Sequence, residues 1–448
     1  MMADKTVYIL GAGASRTANL PVQNGLLPLI YSIRMNGRNS SIDQDFLSLD
    51  INEKIERVWD VYHIFDKYRQ SLGEFIVTNF SSIDKIDQYH VAIEFADSLE
   101  EINYEHKNEF LFKAYDIVKN VNVSLEDLFT IFDNVAVGRE HFRLYSPEKM
   151  GKIHSELKLC IIYSLVYSMA TELDDRQYRR FSKLLLNTRL AATQKEDVLS
   201  VITMNWDDVL EHTLFELCST YNSTINKGQQ RVYPDLCFYD HSINDNLEHL
   251  PSTLIKAKGH KNIKILKMHG SLGWLECPKC GRIYSDFTRE IAADEYSGVQ
   301  CPYCKSIDPL IGEDPVLRNL IITPTFMKSL SNLNLKNIWH NAYIDVSEAD
   351  RLIFIGYSFP DADFEMRCLL KKAVKTNAKI TVVLHNGDNP QIFIKDFLSK
   401  GYSEEESEKL TAKMQFPEVR YKSFFGEDKV EFCYKGLQGF IDEIGGGL

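Results

Sequence analysis

The chain has 448 residues, 44% hydrophobic and 25% charged, the balance of a soluble globular protein with room for about two or three units of ordinary domain size. Lys and Arg number 51 against 63 Asp and Glu, a net charge of −12, so the basic surplus of a dedicated nucleic-acid binder is missing and direct nucleic-acid binding is not expected. The opening MMADKTVYIL carries an acid and no apolar core fit for a signal peptide, and Leu159 to Thr171 falls short of the roughly 20 residues that cross a bilayer, so a cytoplasmic protein without membrane association is expected.

Thr6 to Leu10 is a compact β-type run that passes directly into Gly11-Ala12-Gly13-Ala14-Ser15. Close glycines behind a strand let backbone N–H groups face a phosphate, with the next helix N-terminus adding its positive end; the other reading is a tight turn without ligand. From about Ser41 to Lys195 strand runs vanish and apolar residues recur at helical spacing, over Asn52 to Leu72 (Ile55, Val58, Trp59, Tyr62, Ile64, Phe65) and Pro147 to Leu173. Ser124 to Asp127, ahead of Leu128 and Phe129, has the form of a capping box. This stretch reads as a mainly helical insertion of about 150 residues whose aromatic stripes are packing faces.

The α/β pattern resumes at Val198 to Met204, which ends in Asn205-Trp206-Asp207-Asp208, after which Val209, Leu210, Thr213, Leu214 and Leu217 fit one face of a helix. Ends of parallel strands line the ligand crevice of an open α/β sheet, which makes the amide and carboxylates candidates for a site. The alternative is that Asp207 or Asp208 only caps the helix, which does not account for Asn205. Ile263, Ile265 and Leu266 mark another strand ending at Met268, with His269 where it stops and Gly270 and Gly273 just beyond. A strand-end histidine standing alone is ordinarily structural; this one has Asn205 and a cysteine module for company.

Cys277-Pro-Lys-Cys280 and Cys301-Pro-Tyr-Cys304 are two C-x2-C pairs with 20 residues between them, the spacing of a four-thiolate structural zinc site. Four cysteines leave no open position for metal-assisted hydrolysis, and Cys160, Cys218, Cys237, Cys368 and Cys433 are scattered, as in a reducing compartment. Three further apolar runs, Leu317 to Ile322, Leu352 to Ile355 and Ile380 to Leu384, alternate with helical spacing, so the fold expected is α/β, a doubly wound parallel sheet. Residues from 401 on are charged and mixed, and no separate role is assigned to them.

Taken in order, GAGAS at 11 to 15, TMNWD at 203 to 207, HG at 269 and 270, the paired CPxC modules, GYS at 356 to 358 and HN at 385 and 386 resemble the Sir2 family, over most of residues 5 to 395 outside the insertion. The resemblance implies a Rossmann-type domain (1–40 and 196–400) with a small zinc-bearing module (274–310), interrupted by the large helical insertion (41–195) and followed by a C-terminal extension (401–448). It also implies NAD as substrate, cleaved at the bond between nicotinamide and ribose. On that footing Gly11, Ala12, Gly13 and Ser15 hold phosphate, Gly356, Ser358 and Asn386 contact the adenosine half, Asn205 orients ribose or water, and His269 accepts a proton. Asp207 supports Asn205 or binds on the nicotinamide side.

Departures from the protein-deacylase branch point elsewhere. Asn19-Leu20-Pro21-Val22-Gln23-Asn24 stands where that branch has a Gly-Ile-Pro-Asp-Phe-Arg type segment, and Ile322-Thr323-Pro324-Thr325 where it has Phe-Gly-Glu; the Phe425-Gly426-Glu427 near the C-terminus is out of order. Gly356 to Asp363, GYSFPDAD, looks instead like the Sir2-like proteins of bacterial antiphage defence, which destroy NAD. The expected activity is therefore that of an NAD glycohydrolase (NADase), with an NAD-dependent deacylase and a non-enzymatic NAD or ADP-ribose sensor as alternatives. Because unrestrained NAD loss kills a host, a gate is expected, through homo-oligomerisation over 41 to 195 or a separately encoded partner. The resemblance suggests a HerA-type ATPase or a short Argonaute for that partner, although no motif names either.

Overall fold

The structure is a computed structural model describing residues 4–32, 69, 71–80, 114, 117–118, 123–226, 228–237, 240–242, 260–286, 292, 298–307, 315–328, 330–412 and 416–445. The helical spacing read at Ile55 through Phe65 lies outside these residues. The chain divides into two compact units, one of Met1–Leu20, Leu173–Ile322 and Ser329–Leu448, the other of Pro21–Glu172 and Thr323–Lys328.

The described strands of the first unit are β1 (Thr6–Leu10), β2 (Leu199–Thr203), β3 (Val232–Asp235), β4 (Asp240–Ser242), β5 (Lys261–Lys267), β6 (Gly270–Glu276), β7 (Ile283–Ser285), β8 (Arg318–Ile321), β9 (Arg351–Ile355), β10 (Lys379–Val383) and β11 (Val430–Cys433). Seven of them form one sheet in the order β11-β10-β9-β1-β2-β5-β3, and each neighbouring pair is parallel. Parallel sheets are covered on both faces, which is why β1 and β2 are apolar-rich and buried at every position. Helices Arg176–Ala191, Val209–Thr224, Leu333–Glu348 and Phe364–Ala373 stand between successive strands. Strand order runs one way from β1 through β2 and the other way through β9, so the topological switch point, where such sheets open a crevice, lies beside β1.

The α/β doubly wound reading holds, with two differences in which strands make the large sheet. Leu317 to Ile322, read as one of its strands, supplies β8 of a separate four-stranded sheet, β4-β7-β6-β8, where it pairs antiparallel with β6. β6 pairs antiparallel with both β7 and β8, so this run joins the small sheet that carries the cysteine module. Residues 430–433, within the stretch left without a role, form β11 at the edge of the large sheet. The other edge is β3, whose Pro234 is tolerated because an edge strand can lack one N–H donor.

At the opposite end of β1 from the glycine turn, Lys5 Nζ lies 2.7 Å from Asp197, 2.6 Å from Asp345 and 2.8 Å from Glu348, and Lys264 Nζ lies 2.9 Å from Asp345. These three acids could group around a metal, but two ammonium groups already occupy the cluster. Asp345 is fully buried, and Asp345→Ala would remove the acid that Lys5 and Lys264 share, leaving Lys5 to Asp197 and Glu348. We expect a loss of about 1.5–3 kcal/mol in urea unfolding, the range for a hydrogen bond to a charged group; an unchanged midpoint would contradict the assignment.

The second unit is mainly helical where described. Ser124 accepts from the Asp127 N–H at 3.0 Å and starts helix Leu125–Gly138, the cap read from the sequence, and Ser146 with Pro147 starts helix Pro147–Thr171. Phe75, Phe132 and Tyr145 pack together, and Phe129 and Phe132 enclose His154, whose pKa burial lowers to about 4. Here the aromatic residues are packing faces, as their spacing suggested.

Candidate active site

Register brings candidate residues to the C-terminal ends of neighbouring strands. Leu10 pairs with Thr203 and with Ile355, and Thr203 pairs with Lys267. Gly11, Met204, Met268 and Gly356 are therefore the first residues past the C-terminal ends of four neighbouring strands, and Asn205 and His269 are the second past two adjacent ones, whose backbones are spaced roughly 5 Å apart. The ladder continues past the strand ends: Met204 N–H donates to Leu10 O at 2.9 Å, Met268 N–H to Thr203 O at 3.0 Å, and Gly11 N–H to Ile355 O at 3.0 Å. Asn386 opens a short helical turn just beyond β10 and is exposed, as is Ser358.

The glycines of the two turns serve each other. Gly13 N–H donates to Gly356 O at 2.8 Å, and Gly356 has φ +59°. A Cβ on Gly356 would stand 2.0 Å from Ala14 N, and one on Gly13 would stand 2.7 Å from Gly356 O. Backbone contact at that distance admits no side chain. The 11–15 turn is thus locked against the 356–358 turn, which residues beyond 401 hold from behind. Tyr421 Oη donates to Tyr357 O at 2.9 Å, Arg420 donates to Ser358 O at 3.0 Å, and buried Phe359 packs on Tyr421 and Phe424 with ring centroids 5.0 and 4.8 Å away.

Ser15 is the hub beneath this turn. Its Oγ donates to Asp207 Oδ2 at 2.7 Å, accepts from Asn205 Nδ2 at 2.9 Å, and lies 2.8 Å from the Tyr178 hydroxyl. All four side chains are buried. Asn205 N–H is held by Thr203 Oγ1 at 3.1 Å, while its side-chain Oδ1 is buried with no hydrogen-bond partner among the described residues. A buried acceptor left open at a strand end is a place for a ligand donor. Asp207 also accepts from the Val209 N–H, at the start of the helix whose N-cap residue, Asp208, makes no side-chain cap bond. Burial raises the Asp207 pKa, against the opposing charge of Lys267 and the bond from Ser15.

His269 is fixed through its backbone and faces an acid. Ile322 N–H donates to His269 O at 2.8 Å, and Trp339 Nε1 donates to the preceding Met268 O at 3.1 Å. Its Nε2 lies 3.7 Å from Asp363 Oδ1, while Asp363 Oδ2 accepts from Tyr357 Oη at 2.8 Å. Asp363 occupies the N-cap of helix Phe364–Ala373 yet makes no side-chain cap bond, so its carboxylate serves Tyr357 and His269 instead. Gly270, at φ +79°, must be glycine, since a Cβ there would stand 1.8 Å from Leu320 O.

Three of these residues were not picked out of the sequence. Lys267, two before His269, is fully buried; it pairs with Glu211 at 2.5 Å and donates to Asp207 O at 2.5 Å, steadying the Asn205 to Asp207 turn. A lysine inside an apolar strand run was the available signal. Asp363 lay in the GYSFPDAD string without a role, and Tyr178 sits in an ordinary amphipathic helix whose spacing gave no sign of it.

The four cysteines of the module come together as their spacing predicts. All four Sγ atoms lie within 4.8 Å of one another, with Cys277–Cys304 at 3.7 Å and Cys280–Cys301 at 3.8 Å. A tetrahedral zinc with Zn–S bonds of about 2.3 Å sets sulfurs about 3.8 Å apart, so the residues fit that ion. Bound there, zinc would supply a structural crosslink, joining the turn after β6 to helix Pro302–Ile307.

No family model matches the chain, and no curated protein matches it. Among solved structures, a mutant Sir2 with a p53 peptide and NAD is 12% identical at a TM-score of 0.29, covering 85% of this chain and 80% of that one. A structure addressing the mechanism and regulation of Sir2 enzymes is 13% identical at 0.27, covering 85% and 81%. A Sir2 with an inhibitor, 2′-O-acetyl-ADP-ribose and a deacetylated p53 peptide is 11% identical at 0.28, covering 85% and 80%. At scores this low the likeness bears no weight, and function has to be argued from the residues.

Proposed function

We propose that this chain is an NAD glycohydrolase, a gated effector of antiphage defence that converts NAD and water to nicotinamide, ADP-ribose and a proton. The observation that carries the reading is the buried pair Asn205 and His269 just past the ends of the adjacent strands β2 and β5, beside the glycine turn at the switch point of the sheet. When the C1′–N bond breaks, its electrons leave with neutral nicotinamide and the ribose gains oxocarbenium character. Asn205 Oδ1 accepts a hydrogen bond from a ribose hydroxyl or the incoming water and so orients it. Water forms the new bond to C1′ and loses a proton to His269, an imidazole whose ordinary range reaches physiological pH, with Asp363 beside it to favour the resulting cation. Gly11 to Ser15 face the diphosphate, and Gly356, Ser358 and Asn386 the adenosine half.

The absence from the chain order of the deacylase segments, replaced by residues 19–24 and 322–325, favours hydrolysis over acyl transfer. Incubating the purified protein with NAD, with and without an acyl-lysine peptide, separates the readings. Nicotinamide release without peptide supports glycohydrolysis; peptide-dependent turnover supports a deacylase, and tight binding without turnover a sensor. As part of the same proposal, activity is gated by assembly through residues 41–195 or by a partner. Charge reversals there that dissociate the assembly are expected to lower turnover with zinc content unchanged. Full turnover by a stable, partner-free monomer would contradict the gate.

A further inference from the structure

The hydrogen-bond polarity around Ser15 is over-determined. A serine hydroxyl has one proton and two acceptor lone pairs. Ser15 gives its proton to Asp207 Oδ2 at 2.7 Å, and Asn205 Nδ2 fills one lone pair at 2.9 Å. The Tyr178 hydroxyl, 2.8 Å away, must then donate into the remaining lone pair. Ser15 Oγ is thereby saturated by protein groups, and a flipped Asn205 amide would set its oxygen against two hydroxyls, those of Ser15 and Tyr178, whose protons are already committed.

We propose that Tyr178 is a positioning residue that locks the Asn205 amide with Nδ2 turned to Ser15 and Oδ1 turned to the substrate, so that Asn205 enters the reaction as a hydrogen-bond acceptor. The phenol also lies within hydrogen-bonding reach of Asn205 itself, closing a triangle of Tyr178, Ser15 and Asn205. Tyr178 is 1% exposed, and burial, followed by the charge of Asp207, holds its pKa well above the ordinary phenol value, so it remains the proton donor that this polarity needs.

Tyr178 lies in the first turn of helix Arg176–Ala191, immediately after the chain returns from the second unit at Leu173. Asp174 N–H donates to Ala18 O at 3.2 Å, tying that return point to the residues leaving the glycine turn. Both chain connections to residues 21–172 thus end within a few residues of the Ser15 hub.

This inference deepens the glycohydrolase reading and is tested by a double-mutant cycle of Tyr178→Phe and Asn205→Ala. Loss of one hydrogen bond predicts that Tyr178→Phe lowers kcat about 3- to 10-fold with KM for NAD, melting temperature and zinc content unchanged. In the Asn205→Ala background the same change should have no further effect, because Tyr178 acts through Asn205. Wild-type kcat for Tyr178→Phe, or equal losses in both backgrounds, would overturn it. If the wild type binds NAD without cleaving it, the glycohydrolase reading fails, and the cycle is read on ADP-ribose affinity instead. Coupling there upholds the role of Tyr178, and additivity removes it.

Discussion

His269→Ala and Asn205→Ala are each expected to abolish most NAD turnover, by roughly 100- to 10,000-fold, the range over which acid–base and orienting groups contribute. The two side chains stand second past the ends of adjacent strands paired in parallel, and each is held by contacts its neighbours make with the backbone. On the proposed mechanism, losing the imidazole removes the group that takes the proton of water, and losing the amide removes the oriented acceptor. Neither change should unfold the sheet, because the ladder bonds at 204 and 268 are backbone bonds. Melting temperature and zinc content serve as controls. A folded, correctly assembled double variant with wild-type turnover would show that the chemistry lies elsewhere.

The second large effect concerns the cysteine module. Its core is Leu275, Cys277, Tyr284, Cys301, Cys304 and Leu317, so half of the buried side chains in that cluster are candidate ligands and little apolar area remains to hold it. Metal binding at such sites is worth on the order of 10–16 kcal/mol, most of which is folding energy for the module. Cys301→Ser should therefore lower zinc content well below one ion per chain and expose the module to protease before it changes the chemical step. Zinc retained at wild-type level in Cys301→Ser, or substoichiometric zinc in reduced, unchelated wild-type protein, would contradict a constitutive four-thiolate site.

Much of this arrangement was legible because the physics that sets it is local. Parallel strands buried on both faces need continuous apolar runs, so β1, β2, β5, β9 and β10 were visible, and their C-terminal ends located Gly11, Asn205, His269 and Gly356. The cysteine spacing likewise marked a tetrahedral cluster before any coordinates. What stayed hidden depends on contacts distant in sequence. Ser15 meets Tyr178 across 163 positions and Asp207 across 192, and no periodicity encodes such a meeting. The turn motif placed Ser15 at the phosphate but gave no sign that its hydroxyl is also engaged by three protein groups, Asp207, Asn205 and Tyr178. β11 was missed because Val430 to Cys433 is a four-residue edge strand with an exposed glutamate, too short to show alternation, and β8 was misallocated because an apolar run does not say which sheet will receive it.

The most direct measurement is the fate of NAD mixed with purified protein in its native assembly, followed by nicotinamide and ADP-ribose release, with Asn205→Ala in parallel. Equimolar nicotinamide and ADP-ribose from the wild type without any acyl peptide, and NAD bound but intact in Asn205→Ala, is the predicted result. Intact NAD in both, or equal cleavage by both, would contradict a hydrolytic site at the ends of β1, β2 and β5.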